Sequence, residues 1–79
     1  MKIRVDVMLK QGVLDPQGKA IAHALHGLGF PEVQDVRAGK VIELEINESD
    51  SAAAQAKAKS MAEKLLANMV IEDYRIRVA

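Results

Sequence analysis

From Lys2 to Lys10 the aliphatic residues Ile3, Val5, Val7 and Leu9 alternate with Lys2, Arg4, Asp6 and Met8, the period of a strand with one buried face. Gln11-Gly12 breaks the run. Asp15-Pro16 then reads as a helix start, because an Asp carboxylate accepts from a free N–H of the first turn and Pro lacks the N–H that would go unpaired there. Ile21, Ala24, Leu25 and Leu28 recur at helical spacing before Gly27 and Gly29 end the run, which predicts a helix over 16–28.

A second extended region covers 30–46, through Val33, Val36, Val41, Ile42, Leu44 and Ile46. It is too long for one ordinary strand. Gly39, within Arg37-Ala38-Gly39-Lys40, divides it into two strands or bends one long strand, since a Gly inside a strand pattern marks a turn, a bulge or a hinge. Ser49, Asp50 and Ser51 offer caps for a second helix that runs from Ala52 to near Asn68, with Ala54, Ala58, Met61, Leu65 and Met69 as its apolar stripe. Tyr74, Ile76 and Val78 alternate with Asp73, Arg75 and Arg77 as a last strand.

This order predicts an α+β class, a ferredoxin-like βαββαβ-type sheet with two helices on one face. The other face then carries Arg4, Asp6, Glu43, Glu45, Arg75 and Arg77, and Glu43 and Glu45 are expected to pair with Arg75 or Arg77 across strands.

Size and charge restrict what such a sheet can do. The 79 residues form one domain, 1–79. A compact chain of this mass has roughly 4,700 Å² of surface and hides only about 60% of what it exposes unfolded. Burial then contributes on the order of 120 kcal/mol and chain ordering costs about as much. With Cys 0 there is no disulfide to add stability, no thiol nucleophile and no thiolate metal site, so self-association is the remaining aid.

Lys+Arg 11 against Asp+Glu 11 gives a net charge of +0, without the basic excess of a nucleic-acid binder. Phe30 and Tyr74 are the only aromatic residues, too few for a base-stacking platform. No apolar run approaches the ~18 residues of a membrane span, and Met1–Val7 interleaves charge with aliphatics, unlike a signal peptide. A cytoplasmic chain is expected, with neither nucleic acid nor membrane as partner.

Candidate chemistry is sparse. His23 and His26 stand three apart on the first helix, but with no Cys only Asp or Glu from elsewhere could complete a metal set, and two helix-surface or partly packed histidines are the simpler reading. Arg37 and Lys40 flank a turn able to hold a phosphate, although turn chemistry alone explains Gly39. Gly18, inside the first helical turn, marks either a close approach of another backbone or a tolerated Gly. No serine has the His and Asp neighbours of a triad, and no catalytic residue is assigned.

Taken together, Val13-Leu14-Asp15-Pro16-Gln17-Gly18, His23-Ala24-Leu25, Leu28-Gly29-Phe30, Val33, Val36-Arg37, Gly39-Lys40 and Glu63-Lys64-Leu65-Leu66-Ala67-Asn68 resemble the PurS subunit of phosphoribosylformylglycinamidine synthase, essentially end to end. Ala62 stands where that family often has Cys, and Met69 where it often has Pro. The resemblance implies a small non-catalytic accessory subunit of a purine-biosynthesis amidotransferase. In that system a large ATP-dependent synthetase converts formylglycinamide ribonucleotide to formylglycinamidine ribonucleotide, using ammonia released from glutamine by a separate glutaminase. ATP, magnesium and glutamine would be used by the complex, with no cofactor or metal bound by this chain.

The same resemblance implies self-association as a dimer or tetramer, with segments exchanged so that the long central strand either turns at Gly39 or continues into a neighbour. Carried over residue by residue, it points to Asp15, Gln17, Arg37, Gly39 and Lys40. Capping and turn formation account for Asp15, Pro16 and Gly39, which leaves Gln17, Arg37 and Lys40 as candidates for partner contact. The alternative is a ferredoxin-like regulatory module that binds a small metabolite at a dimer interface.

Overall fold

The computed structural model describes residues 1–79. Its elements are β1 (Lys2–Leu9), α1 (Pro16–Gly27), β2 (Gly39–Glu45), α2 (Ser51–Met61) continued by a π-helical turn (Ala62–Leu66), and β3 (Glu72–Val78). The class is α+β, with β1 at the centre of a three-stranded antiparallel sheet of order β2-β1-β3. Ile3, Val5 and Val7 are 0%, 0% and 1% exposed, so the alternation of β1 becomes the floor of the core. Val5 is flanked by Ile42 and Ile76, and Ile3 by Leu44 and Val78.

Helix α2 covers this face with alanines. Ala54, Ala58 and Ala62 are all fully buried one turn apart, and such small side chains allow a helix backbone to settle close to a sheet. Asp50 is its cap, accepting from the Ala53 N–H at 3.3 Å. The expected stripe of Met61, Leu65 and Met69 is corrected: these side chains are exposed, Leu65 by 83%. The helix widens after Met61, so that the Ala67 N–H reaches the Ala62 carbonyl at 2.9 Å. Met61 is exposed because the buried stripe runs through Ala54, Ala58 and Ala62 at regular turns, and the extra residue of the wide turn then brings Leu66 and Ala67, not Leu65, to the core.

Two further expectations change within the single chain. The region 30–46 supplies one strand, beginning at Gly39, and residues 31–38 run without a ladder. Only α2 covers the sheet, while α1 projects from its end with no strand packed along it. The apolar positions of this helix and its flanks stay open: Leu28 is 74% and Leu14 64% exposed, and Ile21 and Phe30 are exposed as well. The radius of gyration is accordingly 15.8 Å, against about 11.6 Å for a compact chain of this length.

The predicted charge pairs are re-partnered, because β1 lies between β2 and β3. Glu43 meets Arg4 at 3.5 Å and Lys2 at 3.6 Å, whereas Arg77 grips both oxygens of Asp6, at 2.7 and 2.8 Å. Glu43 and Glu45 sit one strand too far away to reach Arg75 or Arg77 directly.

Candidate functional site

The residues singled out along the chain converge on one corner, where the end of β1, the start of α1 and the start of β2 meet. Asp15 organises it. Its Oδ1 accepts from the Gly18 N–H at 2.9 Å, the capping bond expected from Asp15-Pro16, and its Oδ2 accepts from the Ala38 N–H at 2.8 Å. One carboxylate thereby fastens the arm of α1 to the entry of β2. The two N–H donors, Gly18 first and then Ala38, hold the Asp15 carboxyl below the usual carboxylate range, with the Arg37 charge adding to the same effect.

Both glycines of the corner are required by close approach. A Cβ on Gly18 would overlap the carbonyl oxygen of Val36 and lie 2.9 Å from Asp15 Oδ2. Of the two readings left open for Gly18, close backbone approach is the one observed. A Cβ on Gly39 would overlap Met8 Sδ and stand 2.6 Å from the Val7 carbonyl. Gly39 has no positive φ; only Gly12 and Gly29 have one, at 84° and 99°. Gly39 is a residue of the β1–β2 ladder opposite Met8, so it serves packing and not a left-handed bend.

Gln17 and Lys40 line a shallow hollow of about 230 Å³ beside Asp15, with Glu72 at its edge. Arg37 crosses to the end of β1, where its guanidinium donates to the Leu9 carbonyl. Pro16 is exposed at the first helical position. On the open face of the sheet, Arg37, Gly39 and Lys40 border a larger groove of about 620 Å³ that also includes Arg75. Alternation places Arg75 on this face, but its position beside Asp6 follows from the β1–β3 register, which alternation alone does not encode.

The remaining candidates have local duties. His26 Nε2 lies 2.7 Å from the Val33 carbonyl, and because a carbonyl only accepts, this nitrogen carries the proton and ties the end of α1 to the following loop. The Tyr74 hydroxyl donates to Glu63 at 3.2 Å, and partial burial together with that carboxylate pushes the phenol up.

A small sheet backed by one helix, carrying a second helix outward on a clamped arm with its apolar side open, is the form of a subunit that completes itself against other chains. Comparison with known proteins gives this class a family. The family model of PurS, Phosphoribosylformylglycinamidine (FGAM) synthase, matches residues 2–79. The PurS subunit of phosphoribosylformylglycinamidine synthase from Bacillus subtilis is 57% identical over 77 residues, covering 98% of this chain and 90% of that one.

Among solved structures, PurS from Methanocaldococcus jannaschii, described as one of the subunits of formylglycinamide ribonucleotide amidotransferase in the purine biosynthetic pathway, superposes with a TM-score of 0.89 at 41% identity. That match covers 99% of this chain and 94% of that one. A chain in the structure of PurLQS from Thermotoga maritima gives 0.87 at 34% identity, covering 96% and 93%. The chain belongs to the PurS family and is a subunit of phosphoribosylformylglycinamidine synthase, an enzyme of purine biosynthesis. No helix is long and apolar enough to cross a membrane.

Proposed function

We propose that this chain is the non-catalytic assembly subunit of its synthase, bridging the ATP-dependent synthetase and the glutaminase and supporting passage of ammonia between them. The observation that carries this reading is the unpacked α1 arm, clamped by Asp15 yet leaving Leu14, Ile21, Leu28 and Phe30 open. Apolar area of this kind on a thin core is expected to be covered by other chains. The likeness to a chain of Thermotoga maritima PurLQS over 96% of the length supports the same role.

Gln17, Arg37 and Lys40 are the proposed contacts with the partner chains, and Asp15, Pro16 and Gly39 shape the backbone that presents them. The chain also associates with itself, as a dimer or tetramer, in the cytoplasm. ATP, magnesium and glutamine are used by the partner chains.

Sedimentation of the three chains from one organism tests this. Synthetase and glutaminase should co-migrate when the chain is present and separate when it is left out. Co-migration of those two to the same extent without it would contradict the bridging role.

A further inference from the structure

We propose that the groove on the open face of the sheet, between Arg37 and Arg75, binds a phosphate monoester of small-metabolite size. The groove encloses about 620 Å³, within the range of small-molecule sites. Arg37, Lys40 and Arg75 border it, and none of the three has a carboxylate within 4.0 Å. Asp6 also borders it, but both of its oxygens are taken by Arg77 from outside the groove. Asp73 is then the one acidic group of the lining outside an ion pair, against three cations, while the charges of Asp6 and Asp15 also act on Arg75 and Arg37 respectively. In a chain whose net charge is +0, that is a local positive excess closed by no ion pair.

The donors come from different elements. Arg75 stands on β3 in the cross-strand row that includes Asp6 and Val41, while Arg37 reaches in from the segment before β2. The Leu9 carbonyl engages Arg37 through one N–H-bearing nitrogen, and a guanidinium has five donors. A phosphate dianion, with three terminal oxygens, can accept from several cations at once, whereas a carboxylate is satisfied by a single guanidinium fork. Gly39 has no side chain, so Met8 lies across it, and Met8, Leu9 and Val41 give the groove an apolar part for the uncharged body of an ester.

The proposal concerns the chain alone and does not depend on the bridging role, so either can fail without the other. Titration calorimetry on the full chain, with circular-dichroism melts, tests it using ribose 5-phosphate, inorganic phosphate, succinate and chloride at matched ionic strength. Ribose 5-phosphate should bind most tightly and, at ten times its Kd, raise the melting temperature by about 4 °C or more. Arg75→Gln and Arg37→Gln should each weaken binding about tenfold. Lys64→Gln, at an unpaired lysine outside the groove, should leave it unchanged.

Arg75→Gln keeps the test decisive if loss of the Leu9 contact unfolds Arg37→Gln. Stabilisation by chloride equal to that by ribose 5-phosphate would overturn the proposal, as would equal loss in Lys64→Gln and Arg75→Gln. Inorganic phosphate or succinate binding as tightly as the ester would overturn the assignment to a phosphate monoester.

Discussion

The Asp15 carboxylate accepts from the Ala38 N–H at 2.8 Å across 23 positions of chain, and this bond determines where the α1 arm leaves the sheet. The same side chain caps α1 through Gly18, so helix start and arm anchor are one device. Asp15→Asn keeps the size of the side chain but removes its charge and one acceptor. It should lower the melting temperature at neutral pH by several degrees.

The pH dependence of that loss has a definite sign. The folded pKa of Asp15 is depressed, chiefly by the Gly18 N–H and then that of Ala38. Its contribution is therefore fully present above the unfolded value of about 3.9 and is lost as pH falls through the folded pKa. The gap in melting temperature between the natural chain and Asp15→Asn should be constant from pH 7 to about 5 and close below about 4. Asp6 and Glu48 are lowered too, by Arg77 and Lys57 respectively, but they are common to both proteins and cancel in the difference. A gap unchanged down to pH 2 would contradict the clamp.

Glycine substitutions separate packing from conformation. Gly39→Ala and Gly18→Ala place a Cβ against the carbonyls of Val7 and Val36 and should each cost about 1–3 kcal/mol. Gly27→Ala, in a helical position with nothing within 4 Å, should stabilise by about 0.5–1 kcal/mol. Chemical denaturation of the three variants measures this, and equal effects at Gly39 and Gly27 would contradict the account of the corner.

Much of this architecture was legible in the chain. The strict alternation of β1 gave its buried face because one residue in two points each way, and Asp15-Pro16 located the start of α1 because capping is local chemistry. Three things were not legible, and each depends on distant chain. The partners of Glu43 follow from the strand order, which no alternation encodes. The face of α2 turned at Ala62 because one wider helical turn shifts every later residue. The detachment of α1 was hidden because its apolar spacing looks the same whether it covers its own sheet or another chain. At the corner, Asp15, Gln17, Arg37, Gly39 and Lys40 were found together, whereas Arg75 required the β1–β3 register.

The open arm underlies the proposed self-association. The chain exposes 5563 Å², against roughly 4,700 Å² for a compact protein of its mass. Its melting temperature should rise with concentration, and sedimentation should show a dimer or larger species at micromolar concentration. A monomer whose melting is unchanged on dilution would contradict this.

Charge at the corner should govern binding to partner chains. Arg37→Ala combined with Lys40→Ala should weaken complex formation, and raised salt should reproduce the loss in the natural protein, because exposed charges are screened within about 10 Å at 0.1 M salt. Binding by the double variant that keeps the salt dependence of the natural chain would place the electrostatic contact elsewhere.

The most direct test is the rate of formylglycinamidine ribonucleotide synthesis by the synthetase and glutaminase of the same organism, with ATP, measured with and without this chain. Glutamine-driven synthesis should collapse when the chain is omitted, while synthesis driven by high ammonium salt should change little, since free ammonia bypasses the bridge. Glutamine-driven synthesis that proceeds equally well in its absence would contradict the assembly role.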